Sequence, residues 1–461
     1  MTVRILHYAD VENAYDTPER VGRLAGAIDA LRDDHVPTLV TGGGDNTGPG
    51  VLSTACGGAQ SQDLFDAVDP DAEVFGNHDF DHDYDAARRA AREFPGAWLN
   101  ANAYLDGDRF AADHTTPSTL VDAGDVTVGL VGVTAETTPD INPVANDLAV
   151  GDAVEAVQDA ERHLRDAGAD LVVVISHRGD DEDLARETSA DAVLGGHEHD
   201  EVVAQVDGTL VARPGSNGHT LLEVTLGGDE PTASHRETAD YPVDESVADA
   251  LRERLDETGL SETVAHVDGP VRRTERHLKG GESAVGNFVT DALRSAGDAD
   301  VAFVVGGIRQ DDPLDGEVSA ADIHGLCPFD NEVVVADVDG ATLLDAFADL
   351  QLAARYPDDD VPPWWFGHVS GARLVYDDRD YSVVEATVGG EPVHPEETYE
   401  VALSDYHVVT DHIVQAIDES DVVRTVGSLR DALVERAREH GVNTETEGRI
   451  ERPYLDQPVV Q

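Results

Sequence analysis

Five short clusters of aspartate, asparagine, glutamate and histidine, each directly after a strand-like apolar run, constrain this chain most. Asp10-Val11-Glu12 follows the run at 3–7, and Gly44-Asp45-Asn46 the run at 38–40. Gly76-Asn77-His78-Asp79-Phe80-Asp81 follows 73–75, Ser176-His177 follows 171–175, and Gly195-Gly196-His197-Glu198-His199 follows 192–194. Another apolar run fills 126–133. Between the first two runs, Thr17-Pro18 opens a helix with the apolar stripe Val21, Leu24, Ile28 and Leu31. Strand and helix therefore alternate, which predicts an α/β fold, and in such folds ligands gather beyond the carboxyl ends of the strands.

Length and charge narrow the class. A chain of 461 residues exceeds what one core serves, so two domains are expected. The formal charge of −63 argues against nucleic-acid and anionic-membrane partners. Disorder, the other reading of high charge, conflicts with 40% hydrophobic residues in regular runs. Lys279 is the sole lysine, and an acid-rich, lysine-poor surface suggests a halophile. Two cysteines, Cys56 and Cys327, make no disulfide framework. The sequence runs from Met1 straight into the first strand-like run, with no secretory h-region and no apolar stretch that spans a membrane. The expected location is the cytoplasm.

Near 230–270 the pattern changes. A turn at 227–231 precedes a polar helix at 243–258 with Val247, Leu251 and Leu255 at helical spacing. Three segments are expected: a first domain at 1–240, a linker helix at 241–262 and a second domain at 263–461. In the second, helices are expected at 287–296, 341–353 and 426–440, a strand at 301–305 and a hairpin at 382–403.

Carboxylate, imidazole and amide oxygens together suit borderline-to-hard divalent ions. A carboxylate at Asp45 can bridge two of them, as in phosphoryl chemistry. Each cluster alone is unspecific, since Gly-Asn-His is commonly a turn and Asp-x-Glu commonly a cap or solvated loop. Their order carries the signal.

That order, Asp-x-His, Gly-Asp, Gly-Asn-His-[Asp/Glu], His, Gly-His-x-His, resembles the calcineurin-like metallophosphoesterase signature, with Glu12 where histidine is usual. Phe80-Asp81 narrows the resemblance to the 5′-nucleotidase branch. It implies a four-layer α/β sandwich, then a linker helix and an α/β 5′-nucleotidase C-terminal domain. It also implies an enzyme, a metal-dependent phosphoric ester hydrolase of nucleotide catabolism. Asp10, Glu12, Asp45 and His199 hold one ion by position, and Asp45, Asn77, His177 and His197 the other. His78 is the implied catalytic histidine and Asp81 its orienting partner. Glu12 tilts the expected metals toward Mn²⁺, with Zn²⁺, Mg²⁺ and Co²⁺ as alternatives. The alternative for Glu12 is that it turns away and leaves that site weak.

The second half is similar to the C-terminal domain of 5′-nucleotidases at Glu282–Phe288, at Gly306-Gly307-Ile308-Arg309 and at Leu326–Asn331. The resemblance implies that Lys279 and Arg309 hold phosphate, Phe329 and Tyr406 sandwich the base, Asn331 contacts it and Asp411 accepts the sugar hydroxyls. The stretch 409–413 departs from the family's Gly-Gly-Asp-Gly-Tyr and leaves base preference open. The implied reaction is release of phosphate from nucleoside 5′-monophosphates by a metal-bridging hydroxide, with His78 and Asp81 assisting. A 2′,3′-cyclic-nucleotide phosphodiesterase with 3′-nucleotidase activity and a nucleotide-sugar diphosphatase use the same site. A sulfur-ester hydrolase shares the two domains, and an inactive nucleotide-binding protein is the non-enzymatic reading. The expected partner is a nucleotide or other small phosphate ester; oligomeric state stays open.

Overall fold

Period-two alternation decides the layers of the first unit. In the computed structural model, which describes residues 2–32, 36–228, 230–329, 331–356, 361–410 and 413–455, two compact units divide the chain, Met1–Thr258 and Gly259–Gln461. The first unit holds β1 (Val3–Tyr8), β2 (Thr38–Gly42), β3 (Ala72–Val74), β4 (Val126–Thr134), β5 (Leu171–His177) and β6 (Ala192–Gly195). β1, β2 and β3 are parallel neighbours in a seven-stranded sheet. β4, β5 and β6 are parallel neighbours in a six-stranded one. Val173 and Ile175 of β5 face Val3, Ile5, Leu39 and Val74 of the first sheet in one shared core. Val172 and Val174, one residue out of phase, join Val157 and Leu164 instead.

Helices complete the outer layers. α1 (Pro18–Leu31) buries Val21, Leu24 and Ile28 and packs against the first sheet and the helix Glu245–Thr258, while α2 (Ala153–Asp166) covers the second sheet. The result is a four-layer α/β sandwich. α3 (Glu245–Thr258), the polar helix expected as the linker at 241–262, belongs to this first unit, which runs to Thr258 where a boundary at 240 was expected. Val247, Leu251 and Leu255 are buried, and Arg254 grips Asp63 with bonds of 2.5 and 2.9 Å.

The second unit is α/β as well. Its five-stranded sheet runs His368–Ser370, β7 (Val301–Val304), Thr398–Ser404, Glu332–Asp339, Val422–Ser428. Ala284–Gly297 and Leu429–His440 pack on one face, and Gly340–Asp349 on the other.

Three expected elements differ. The hairpin at 382–403 is split: Ser382–Val388 pairs with Ala372–Asp377, whereas Thr398–Ser404 lies centrally between β7 and Glu332–Asp339. Buried Val401, Ala402 and Leu403 explain this, because a strand apolar on both faces belongs inside a sheet. The helix expected at 341–353 breaks after Asp349, where Gln351 takes an extended conformation and caps Leu352–Arg355 by accepting from Ala353 N. The helix expected from 426 begins at Leu429, after Ser428 accepts the Asp431 amide; the β-branched residues before it form a strand.

Candidate metal centre

Neighbouring parallel strands deliver the first two clusters side by side. His7 is in register with Thr41 and Tyr8 with Gly42, so the chain leaves β1 and β2 at the same level. Asp10 N then donates to Gly44 O at 3.0 Å, Val11 N to Asn46 Oδ1 at 3.2 Å and Glu12 N to Asp45 O at 3.3 Å. In the second sheet Ser176 is in register with Gly195, which sets His177 beside the Gly195–His199 loop. Asp10, Glu12, Asp45 and His197 adopt φ of 51°, 48°, 53° and 75°, a left-handed region that side chains avoid unless the surroundings hold them there. Glycine keeps the space open. A Cβ on Gly76 would lie 2.1 Å from Asp45 Oδ1, and one on Gly196 would lie 2.6 Å from Gly43 O and 3.0 Å from Asp10 Oδ2.

Eight sequence-predicted residues meet here. Three overlapping donor groups form, each with its ligand atoms within 4.8 Å: Asp45, His177 and His197; Asp10, Glu12 and His199; Glu12, Asp45 and His78. Asn77 joins the first, its Oδ1 lying 2.9 Å from His197 Nδ1. Glu12 faces the cluster, Oε1 at 3.2 Å from His199 Nε2, and does not turn away.

The donor set fits divalent cations. Asp10, Glu12 and Asp45 are buried carboxylates, and several buried anions in one place require compensating positive charge. His177 Nδ1 donates to Gly43 O at 2.7 Å, which directs Nε2 to Asp45 Oδ2 at 3.0 Å. There Nε2 is buried against the carboxylate that the two donor groups share, the position of a ligand atom. Burial pushes the Asp10 carboxyl well above the usual range, and the charges of Asp45 and Glu12 add to it. Burial alone lowers His177, but Asp45 outweighs it and the imidazole is pushed up to about 10.

His78 and Asp81 form a pair, Nδ1 to Oδ2, at 2.9 Å. Burial lowers the His78 imidazole, yet the carboxylates of Asp45 and Asp81 push it up to about 9. The His78 amide donates to Asp45 Oδ1 at 2.7 Å, tying the pair to the shared carboxylate.

Four supporting residues escaped the sequence reading. Asn142 donates to Asn77 O at 2.7 Å and to Asp81 Oδ1 at 2.9 Å. Asp79 Oδ2 accepts from Asp45 N at 3.0 Å and Gly76 N at 2.7 Å, while its Oδ1 takes the Thr47 amide and hydroxyl. Glu73 accepts from Gly44 N and Asn46 Nδ2, both at 3.0 Å. Asp79 and Asn46 stand inside the recognised clusters, and Glu73 is an acid within an apolar run; those signals were present. Asn142 lies 61 residues from Asp81, and nothing local in the sequence announces it.

In the second unit three loops share one end of the sheet. Arg309 N donates to Leu326 O at 2.9 Å, joining the loop after β7 to the loop before Glu332–Asp339. Asn331 Nδ2 donates to Asp405 Oδ1 at 3.0 Å, beside Tyr406. Phe329 and Tyr406 are 50% and 45% exposed, so neither serves as core packing. Lys279 has other company: Nζ stands 3.8 Å from the Trp365 ring centroid and 3.4 Å from Glu275 Oε1. Trp364 is capped likewise, by Arg276. Asp411 lies outside the described residues.

Family models match both halves: the calcineurin-like phosphoesterase over residues 3–201 and the 5′-nucleotidase C-terminal domain over 263–416. The chain joins a calcineurin-like phosphoesterase domain to a 5′-nucleotidase C-terminal domain. The phosphoesterase domain is of the metal-dependent phosphoric ester hydrolase class. The chain is similar to the trifunctional nucleotide phosphoesterase YfkN of Bacillus subtilis, 23% identical over 66% of this chain and 24% of that protein. It is 26% identical to the 5′-nucleotidase of Bos taurus over 38% of this chain and 32% of that one. The chain thus spans less than half the length of these relatives. Its fold is that of a 5′-nucleotidase precursor from Thermus thermophilus, with a TM-score of 0.75, 21% identity and coverage of 99% and 100%. The sulfate thiohydrolase SoxB of Thermus thermophilus shares it, with a TM-score of 0.72, 18% identity and coverage of 100% and 98%. No described helix is long and apolar enough to cross a membrane.

Proposed function

We propose that this chain is a two-ion phosphomonoesterase that releases phosphate from nucleoside 5′-monophosphates. One observation carries the reading: Asp45 and Glu12 each belong to two donor groups, so the groups form one continuous two-ion site rather than separate ones. Asp10, Glu12, Asp45 and His199 hold one ion, and Asp45, Asn77, His177 and His197 the other. Three carboxylates among these donors favour Mn²⁺ or Mg²⁺ over softer ions. When bound, a divalent pair supplies hydroxide near neutral pH and Lewis-acid stabilisation of phosphoryl charge.

The chain's own residues do the rest. The His78 imidazolium, paired with Asp81, neutralises charge on the phosphoryl group and hands a proton to the departing alkoxide. Asp81 orients that ring through Nδ1, which leaves Nε2 for the substrate. Asn142 fixes the other oxygen of Asp81, and so sets the angle of the pair. Arg309 binds phosphate as a fork, Phe329 and Tyr406 stack on the base, Asn331 reads its edge and Asp411 takes the sugar hydroxyls. Lys279 assists the phosphate only on leaving Trp365.

Hydrolysis of AMP, read as free phosphate, of a 2′,3′-cyclic nucleotide, read as the ring-opened nucleotide, and of a nucleotide sugar, read as nucleoside monophosphate plus sugar phosphate, each with Mn²⁺, tests the substrate class. The expected result is the highest kcat/KM on AMP. A higher value on either other substrate contradicts it.

A further inference from the structure

We propose that Glu73, which is not among the ligand candidates, is a positioning residue for both ion sites, acting through Asn46; this rests on the two-ion reading above. Glu73 lies in β3 between Ala72 and Val74, with no exposure to solvent. A fully buried strand position ordinarily takes an apolar side chain, and a carboxylate stays there only when donors surround it. Glu73 has four. Oε1 accepts from Gly44 N and Val74 N, each at 3.0 Å; Oε2 accepts from Asn46 Nδ2 at 3.0 Å and from Tyr8 OH at 3.4 Å.

Two of these donors bracket Asp45. Glu73 therefore holds the turn that carries the shared carboxylate at the residues on either side of it. Its second effect runs through Asn46. With Nδ2 fixed on Glu73, Oδ1 faces Val11 N at 3.2 Å, the amide between Asp10 and Glu12. Successive amides of the first turn thus run to the second: Asp10 to Gly44, Val11 to Asn46, Glu12 to Asp45. The middle rung is the only one of these made by a side chain, and Glu73 decides which way that side chain faces. Asp10, Glu12 and Asp45 all hold left-handed backbone, and rungs of this kind keep such residues from relaxing to commoner conformations. Gly42 makes room for the acid, since a Cβ there would lie 2.0 Å from Glu73 Oε2.

The test is Mn²⁺ binding to the metal-stripped full chain, by calorimetry and by electron paramagnetic resonance, with no turnover measured. Outer partners of metal ligands are typically worth about 10–100-fold in affinity. Glu73→Leu is expected to bind Mn²⁺ about 10–100-fold more weakly than wild type at both sites. Asn46→Asp sets two carboxylates against each other and is expected to weaken binding similarly. Adding Glu73→Gln to Asn46→Asp reverses the polarity of that one bond and is expected to restore affinity. If Glu73→Leu gives no cooperative unfolding transition, the Asn46→Asp variant and its rescue decide alone. Wild type binding two ions beside variants of unchanged affinity, or an unrescued Asn46→Asp, overturns this proposal and leaves the two-ion reading standing. Wild type that takes up no Mn²⁺ overturns both.

Discussion

In the metal-free chain burial lowers the His177 imidazole, but Asp45 pushes it up to about 10, while burial raises Asp10 as well. Both groups carry protons near neutral pH, and a metal takes only the deprotonated forms. Metal binding is therefore expected to release protons, and affinity to rise with pH toward about 10. Calorimetry in two buffers of unequal protonation enthalpy measures this; heats that do not depend on the buffer contradict it. At His78 the roles separate differently. His78→Asn is expected to bind both ions but lose about 10²–10⁴-fold in kcat, the usual worth of a positioned acid. His197→Asn is expected to lose metal first. Near-normal turnover of His78→Asn on a substrate with a poor leaving group would falsify the acid role. The ligand candidates were legible because each is a metal-type side chain at the end of an apolar run. Glu73 showed only as an acid within an apolar run, its role set by a contact across 27 residues, and Asn142 did not show at all, because its work is to hold residues 61 positions away. Lys279 shows the converse. Its place in the family resemblance was visible, but the choice of Trp365 and Glu275 as partners is tertiary.

At the scale of elements, parallel β1 and β2 turn sequence order into proximity, and glycine lets the turns close. Gly76→Ala brings a methyl within 2.1 Å of Asp45 Oδ1, so that carboxylate must move. The expected cost is about 1–3 kcal/mol of stability, as for other forced overpacking, with weakened metal binding. Thermal unfolding of the metal-free variant and Mn²⁺ titration check the two separately; a fully wild-type pair of results contradicts the cradle. The strands and helices around this site were readable from period: residues 171–175 showed a buried run, and Val21, Leu24 and Ile28 a helical stripe. In the second unit local pattern was a poorer guide. Nothing within 382–403 distinguishes a hairpin from two strands assigned to different sheets, because the partner strands come from 301–304, 332–339 and 372–377. The left-handed conformations of Asp10, Glu12 and Asp45 were equally invisible, since they arise from the rungs between turns.

For the whole molecule, a formal charge of −63 repels a nucleotide dianion, and the carboxylates repel one another. That repulsion reaches about 30 Å at 0.01 M salt and about 3 Å at 1 M. Activity and thermal stability are therefore expected to rise together with KCl into the molar range, and an optimum for both below about 0.1 M contradicts this. The salt effect is independent of the central proposal, that Asp45 is shared by two ions in one hydrolytic site. Metal-stripped chain titrated with Mn²⁺ while phosphate release from AMP is followed tests that claim, with Asp45→Asn measured beside it. The expected result is no turnover without metal, full turnover at two equivalents, and an Asp45→Asn chain that binds neither ion tightly and stays inactive. Undiminished turnover in chelator, or an Asp45→Asn chain that still binds two ions with wild-type affinity, contradicts the two-ion account.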